Sequence, residues 1–147
     1  MNGTRAKRNL PRSIGAGFAG LLAIVALSTA TDAALHASGV FPPAGRPMAD
    51  GLWLLATAYR AVYAIAGCYL AARLAPARPM LHAMVLGFIG VAVSTAGTVA
   101  TWGKGPEFGP HWYPISLIVT ALPCAWLGGR LHREPAPGGP PETAVNA

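Results

Sequence analysis

The sequence predicts an all-α integral membrane protein whose four transmembrane helices form an antiparallel bundle. Only 11% of its 147 residues are charged, whereas 53% are hydrophobic, and a soluble domain normally carries about twice that share of charge. Two stretches, Pro79 to Gly103 and Phe108 to Gly129, contain no Asp, Glu, Lys or Arg. Each exceeds the roughly 18 residues that mark a membrane-spanning helix. Four such spans leave no room for a soluble catalytic or binding domain.

The first span follows a basic segment. Residues 1–12 form a polar cytoplasmic tail with four basic side chains, and an apolar run extends from Ile14 to about Leu35. Asp32 is the only charged residue of that run. A cleaved signal peptide is the alternative, because a basic start, an apolar core and the small residues Ser28–Ala30 fit that pattern too. The apolar run is longer than a normal signal core, which favours a retained helix.

The second span is interrupted only by Arg60 and is closed by Pro76 and Pro79, since proline cannot continue a helix. The fourth span carries Pro123, where a kink is expected. Before it, the Pro- and Gly-rich residues 105–110 are expected to be non-helical. The predicted spans are 14–35, 52–72, 81–102 and 112–129, within a transmembrane domain of residues 13–131.

The carboxy-terminal segment, residues 132–147, is rich in Pro and Gly and lacks apolar periodicity. Such a composition buries too little apolar surface to fold. We predict a disordered cytoplasmic tail.

The basic residues predict the orientation of the chain, because Lys and Arg beside a span tend to remain cytoplasmic. With the amino terminus inside, the cytoplasmic segments hold eight Lys and Arg residues and the outer loops hold two, Arg46 and Lys104. Both termini should therefore face the cytoplasm. Aromatic residues favour the headgroup region, and four of them fall at predicted outer ends: Trp53, Trp102, Trp112 and Tyr113. The net charge of +6 is thus a topology signal and not a nucleic-acid-binding surface.

Two opposite charges lie inside the predicted membrane region. Arg60 is eight residues into the second span, roughly 12 Å below its outer boundary, and Asp32 lies at a similar depth in the first. A lone Arg or Asp near the centre of a membrane helix costs about 2.5 to 3.5 kcal/mol, so such residues usually face the bundle interior and find partners. We predict that Asp32 pairs with Arg60.

Other polar side chains fall at the same depth, while the inner halves of the spans are almost entirely apolar. The one-sided distribution favours a closed polar cluster or a blind cavity that opens outward over a continuous pore. Two interpretations stay open: the cluster holds the helices together, or Arg60, fixed by Asp32 and flanked by Tyr63, presents a cation to an anionic ligand that enters from outside. The candidate residues are Asp32, Arg60, Tyr63, His36, Ser94 and Thr98.

Catalysis and metal binding find little support. Ser28, Asp32 and His36 have the residue types of a hydrolytic triad, but eight residues of helix separate Ser28 from His36 by about 12 Å. His36, Glu107 and His111 offer metal-ligating atoms without a fixed mutual geometry. We predict a non-enzymatic protein with no cofactor and no metal.

Four runs carry a resemblance: ATDAALHASGVFPP, LLATAYRAVY, LAPARPMLHAMVLGFIG and GPEFGPHWYP. Together they resemble a group of small uncharacterised bacterial inner-membrane proteins with four helices. The resemblance implies the architecture and a bacterial cytoplasmic membrane, and it implies no activity. The length and the buried charges are also similar to those of small multidrug transporters. The acidic residue of those proteins is a glutamate of the first helix, whereas this chain has Asp32 near the outer end.

The sequence therefore predicts a multi-pass inner-membrane protein whose outward-facing polar cluster is structural or binds a small polar ligand. One alternative is an oligomeric small-solute or proton-coupled transporter, in which Asp32 responds to protons. Another is an accessory subunit of a membrane complex. The expected partners are the lipid bilayer and either further copies of the chain or a membrane-complex partner, and nucleic acid is not among them.

Overall fold

The chain is all-helical over the part that the computed structural model describes, the backbone of residues 3–132 and the side chains of residues 9–132. Four long helices and no strand occur within that range. They are α1 (Gly3–Ala37), α2 (Asp50–Leu74), α3 (Pro79–Thr101) and α4 (Trp112–Leu131). Each contains a segment long and apolar enough to cross a membrane. The prediction of an all-α chain with four long apolar helices is confirmed.

The first helix is longer than its predicted span. It begins at Gly3, so most of the predicted basic tail of residues 1–12 is helical. Hydropathy sets the edge of a span, whereas backbone hydrogen bonding sets the edge of a helix, and the Arg, Ala and Lys of this segment are good helix formers. The predicted disordered tail lies, apart from His132, outside the described residues.

Proline organises both ends of the α2–α3 connection. The second helix ends at Leu74, and Pro79 opens α3 at its first position, where its missing N–H is not needed. Arg78, just before it, has a positive φ of 50°. The predicted stop at Pro76 and Pro79 is therefore where the helix gives way to a tight turn.

The α3–α4 connection differs from the sequence prediction. Residues 105–110 were expected to be non-helical, and Pro106–Phe108 instead form one turn of 3-10 helix. Proline is tolerated at the first position of such a turn because its fixed φ fits and no donor is lost. Gly109 then takes a φ of +91°, and a Cβ there would lie 2.8 Å from the Trp53 ring. This loop consequently folds against the beginning of α2.

The second helix is the centre of the packing. It contacts α1, α3 and α4, and α3 also packs extensively along α4, whereas α1 and α3 touch only sparsely. The buried core consists mainly of small side chains: Cys68, Ala71, Ala72, Ala83, Leu86 and Ala125. Helices bearing small residues approach closely, and close packing of this kind is typical of helices that associate in membranes.

Glycines produce the closest approaches. We call the following residues the glycine layer: Gly20, Gly67, Gly87, Gly128 and Gly129. A Cβ on Gly67 would lie 2.7 Å from the carbonyl oxygen of Gly20, and one on Gly128 would lie 2.8 Å from Cys68 Cβ. Farther along α3, a Cβ on Gly97 would meet no atom within 4 Å. The helices therefore meet tightly at the glycine layer, whereas the exposed Gly97 faces away from the neighbouring helices.

Substituting Gly67 by Ala tests this contact. The added methyl group would overlap the backbone of α1, and overpacking of this kind costs about 1–3 kcal/mol. We expect a lower midpoint of thermal unfolding for the Gly67→Ala protein in detergent. Gly97→Ala is the matched control, since it adds the same methyl group in open space and should leave the midpoint unchanged or slightly raised. Equal effects of the two substitutions would contradict the proposed tight contact.

Candidate functional site

An ion pair joins α1 to α2. Arg60 Nη2 donates a hydrogen bond to Asp32 Oδ2 at 2.5 Å. The Tyr59 hydroxyl donates to the other carboxylate oxygen, Oδ1. The Arg60 and Asp32 side chains are 32% and 30% exposed. The structure thus brings together the two charges that the sequence analysis paired, with both oxygens of Asp32 occupied by donors.

The tyrosine that accompanies the ion pair is Tyr59, whereas the sequence analysis named Tyr63. The Tyr63 hydroxyl is bonded instead to Thr31 Oγ1 at 2.8 Å. Residues one turn apart share a helix face, which pointed to Tyr63 beside Arg60. Tyr59 precedes Arg60 directly and lies on an adjacent face, but its long side chain reaches the carboxylate across the α1–α2 contact. An aromatic hydroxyl next to Arg60 in the sequence was the signal that would have found it.

His36 lies apart from this pair. Its Nδ1 donates to the carbonyl oxygen of Pro42 at 2.8 Å, since a carbonyl only accepts. The imidazole ring also meets the buried Phe41 edge to face, with the ring centroids 5.4 Å apart. His36 therefore orders the loop after α1, and the structure does not bring it to Asp32 or Arg60.

The two predicted residues of α3 have different surroundings. Ser94 lies in the wall of a cavity described below. The buried Thr98 donates from its Oγ1 to the Ser94 carbonyl oxygen at 2.7 Å, a bond within one helix that satisfies the hydroxyl. Thr98 is not part of the cavity wall.

Polar contacts between helices are concentrated on α1 and α2. Among the side chains of residues 9–132, the hydrogen bonds that cross from one helix to another are Arg60 to Asp32, Tyr59 to Asp32, Thr31 with Tyr63, and Thr57 with Ser116. The last of these is long, at 3.5 Å. None involves α3, although α3 carries several hydroxyl groups. The polar face of α3 is therefore not explained by hydrogen bonding between helices.

A cavity of about 290 Å³ lies among all four helices. Six polar residues contribute to its wall, and we call them the polar layer: Ser28, Thr29, Asp32, Arg60, Ser94 and Thr120. The remaining wall is apolar and reaches Gly87 of the glycine layer and the buried Cys68, which is only 2% exposed. The site combines charged and hydroxyl groups in one region with an apolar interior in another.

The hydrogen-bonding capacity of the ion pair is unbalanced. Arg60 has five N–H donors, and within the described residues it makes one hydrogen bond, to Asp32. Its Nε is buried without a partner. Both oxygens of Asp32, by contrast, already accept a bond. The pair therefore has donors left for a ligand but few acceptors.

The loop before α4 closes over Trp53. The Trp53 and Tyr113 rings lie 4.5 Å apart, and His111 stacks on Trp102 at 4.3 Å. The Trp112 ring also meets Tyr113, edge to face at 6.3 Å, so all four aromatic residues predicted at outer ends take part in ring contacts around this loop. No three His, Cys, Asp or Glu side chains in residues 9–132 are grouped so as to hold a metal ion, and the structure does not gather His36, Glu107 and His111 into such a group.

Comparison with known protein families, with curated proteins and with solved structures finds no match for this chain.

The coupling between Asp32 and Arg60 is measurable by a double-mutant cycle. Asp32→Ala leaves the guanidinium without its counter-charge, and breaking a buried pair in this way costs roughly 3–5 kcal/mol. We expect about 1–3 kcal/mol here, because a third of each side chain is exposed. Removing the second charge as well, in Asp32→Ala with Arg60→Leu, should recover part of that loss.

Thermal unfolding in detergent reads out the four proteins of the cycle: the wild type, Asp32→Ala, Arg60→Leu and the double variant. Tyr63→Phe is the control, since it removes a hydroxyl of the same region without touching the ion pair. Additive losses in the double variant would contradict the coupling.

Proposed function

We propose that this chain is a non-enzymatic, multi-pass protein of a bacterial inner membrane whose cavity binds a small polar ligand. Arg60 donates hydrogen bonds to the ligand, and Asp32 with Tyr59 holds the guanidinium in place. The observation that carries the proposal is the cavity of about 290 Å³ with Asp32 and Arg60 in its wall. Ligand pockets in proteins begin near 300 Å³ and pair an apolar lining with a few placed polar groups.

The membrane arrangement that we propose is an antiparallel bundle with both termini in the cytoplasm. Its support is the order of contacts between α1 and α2, in which Gly20 meets Gly67 while Asp32, farther along α1, meets Arg60, earlier in α2. The excess of Lys and Arg on the side of the termini supports the orientation. The resemblance to small bacterial inner-membrane proteins supports the choice of membrane.

A purely structural role is the competing interpretation, and the hydrogen-bond pattern weighs against it. A cluster that served only to join helices would use its polar groups on one another. Arg60 keeps unused donors, and Ser94 of α3 faces the cavity with no bond to a neighbouring helix. These groups are placed to meet a bound molecule.

Transport is the second function to weigh. The cavity wall reaches the glycine layer at Gly87, where a Cβ would meet Ala125 Cβ at 2.5 Å. Among the described residues the wall is apolar at that level, so transport of a polar solute would need an oligomer or a large movement of the helices. A role as an accessory subunit would place the same cavity beside a partner and predicts co-purification of that partner in stoichiometric amount.

Ligand binding is tested by purifying the protein in mild detergent and measuring its mass by native mass spectrometry. We expect the wild-type protein to retain a small molecule and the Arg60→Gln protein to lose it, because the amide removes the charge and most of the donors. Tyr63→Phe should retain the molecule, since its hydroxyl bonds Thr31. Retention by Arg60→Gln, or a wild-type protein that is always empty, would contradict the proposal.

Orientation is tested by cysteine labelling in intact cells. Ala44 and Ala77 are exposed residues of the loops after α1 and α2, and the two native cysteines are buried. We expect a membrane-impermeant maleimide to label Ala44→Cys and not Ala77→Cys, with both labelled once the cells are opened. The reverse pattern would place the termini outside.

A further inference from the structure

We propose that the ligand of this cavity comes from the lipid phase: a neutral single-chain amphiphile whose carbonyl accepts hydrogen bonds from Arg60 while its hydrocarbon chain lies between α1 and α3. The inference rests on the proposed function and names the class of ligand. Three observations carry it: an apolar groove that adjoins the cavity, the apolar interior of the cavity and the unused donors of Arg60.

A second cavity lies beside the first. An apolar groove of about 430 Å³ runs between α1 and α3, from Ser13 and His82 at one end. Leu21, Leu86 and Ile89 line both the groove and the cavity. The two spaces therefore meet at these three side chains, along the pair of helices that touch only sparsely.

The meeting point is closed by side chains rather than by backbone contact. A Cβ on Gly20 would lie 2.9 Å from Leu86 Cδ2, so the Leu86 side chain bridges α3 to α1 at the border between cavity and groove. A leucine changes rotamer far more readily than two backbones separate. Ile89 beside it is 40% exposed. The route from lipid to cavity thus passes movable apolar side chains.

The polar end of the ligand follows from the charges of the site. Asp32 and Arg60 form a neutral pair with spare donors on Arg60 and both Asp32 oxygens occupied. A ligand must therefore supply an acceptor. A neutral carbonyl does so without adding net charge, whereas an anion would leave an uncompensated charge in a region of low dielectric constant.

The distances set the length of the ligand's chain. Leu21 and Asp32 are eleven residues apart on α1, which corresponds to roughly 16 Å along the helix axis. That is about half of the roughly 30 Å hydrocarbon core of a bilayer. A ligand that has its carbonyl at Arg60 and its chain end in the groove therefore needs a hydrocarbon chain of about that length.

The test uses a monoacylglycerol with a photoreactive diazirine on its acyl chain, added to the full-length protein in liposomes. We expect cross-links on residues of α1 and α3 that line the groove. Excess monoolein should reduce them at least fivefold, and monoacetin, which has the same ester head without the long chain, should not. Oleate should compete less well than monoolein because it brings a charge.

Single-residue variants test the proposed route of the ligand from the lipid phase to the cavity. Ile89→Trp fills the meeting point and should reduce cross-linking severalfold, whereas Val99→Trp is the matched control on α3, at a side chain that is 73% exposed and outside both cavities. Arg60→Gln should also reduce it severalfold. If Ile89→Trp does not fold, the competition on the wild-type protein still decides the question.

The failures are distinguishable. Equal competition by monoacetin and monoolein would show a ligand from water, and stronger competition by oleate would show an anionic one; either result overturns this inference and leaves the proposed function standing. Cross-links spread evenly over all exposed helix faces, with no effect of monoolein, would indicate ordinary lipid contact and overturn the inference. Labelling of the cavity that Arg60→Gln leaves unchanged would overturn the proposed function as well.

Discussion

The pairing of Asp32 with Arg60 is the constraint on which the arrangement of the helices depends. Each charge alone would cost about 2.5 to 3.5 kcal/mol in the apolar interior of a membrane, so the two helices that carry them are held at the one register where the charges meet. The Tyr59 hydroxyl adds a second donor to the carboxylate. The pair is therefore both the strongest polar contact between α1 and α2 and the most polar part of the cavity wall.

Packing and polarity are divided along the same helices. At the glycine layer the backbones approach until a single methyl group would overlap, and the core there is built almost wholly of Ala, Gly and Cys. Toward the polar layer a space remains among the four helices, and Asp32, Arg60 and hydroxyl side chains form part of its wall. The tight helix contacts and the polar-walled cavity therefore lie at different levels of the same bundle.

The sequence was sufficient to predict the parts of the structure that depend on composition and on the position of charged residues along the apolar helices. Charge-free runs predicted four apolar helices, and the cost of an isolated Arg predicted a partner for Arg60. The identity of the second partner was beyond reach, because a helical-face rule selects Tyr63 and the reach of the Tyr59 side chain depends on the distance between two helices. The surroundings of His36 were beyond reach for a related reason, since they depend on the path of the loop through Phe41 and Pro42. The helical turn at Pro106–Phe108 and the helical start at Gly3 are local backbone features that hydropathy does not report.

The hydrogen-bond donors and acceptors of the ion pair determine which ligand the site can bind. A carboxylate and a guanidinium that served only each other would form two parallel hydrogen bonds, the geometry in which such pairs are strongest. Here one oxygen of Asp32 is given to Tyr59, and Arg60 makes a single bond to the other. Both oxygens of Asp32 are therefore bonded, whereas Arg60 keeps unused N–H donors. Hydroxyl groups of α1 and α3 and an apolar space lie in the same cavity. A bundle held together by polar contacts alone has no reason to divert a carboxylate oxygen from its cation, whereas a binding site gains a fixed guanidinium with donors left for a ligand.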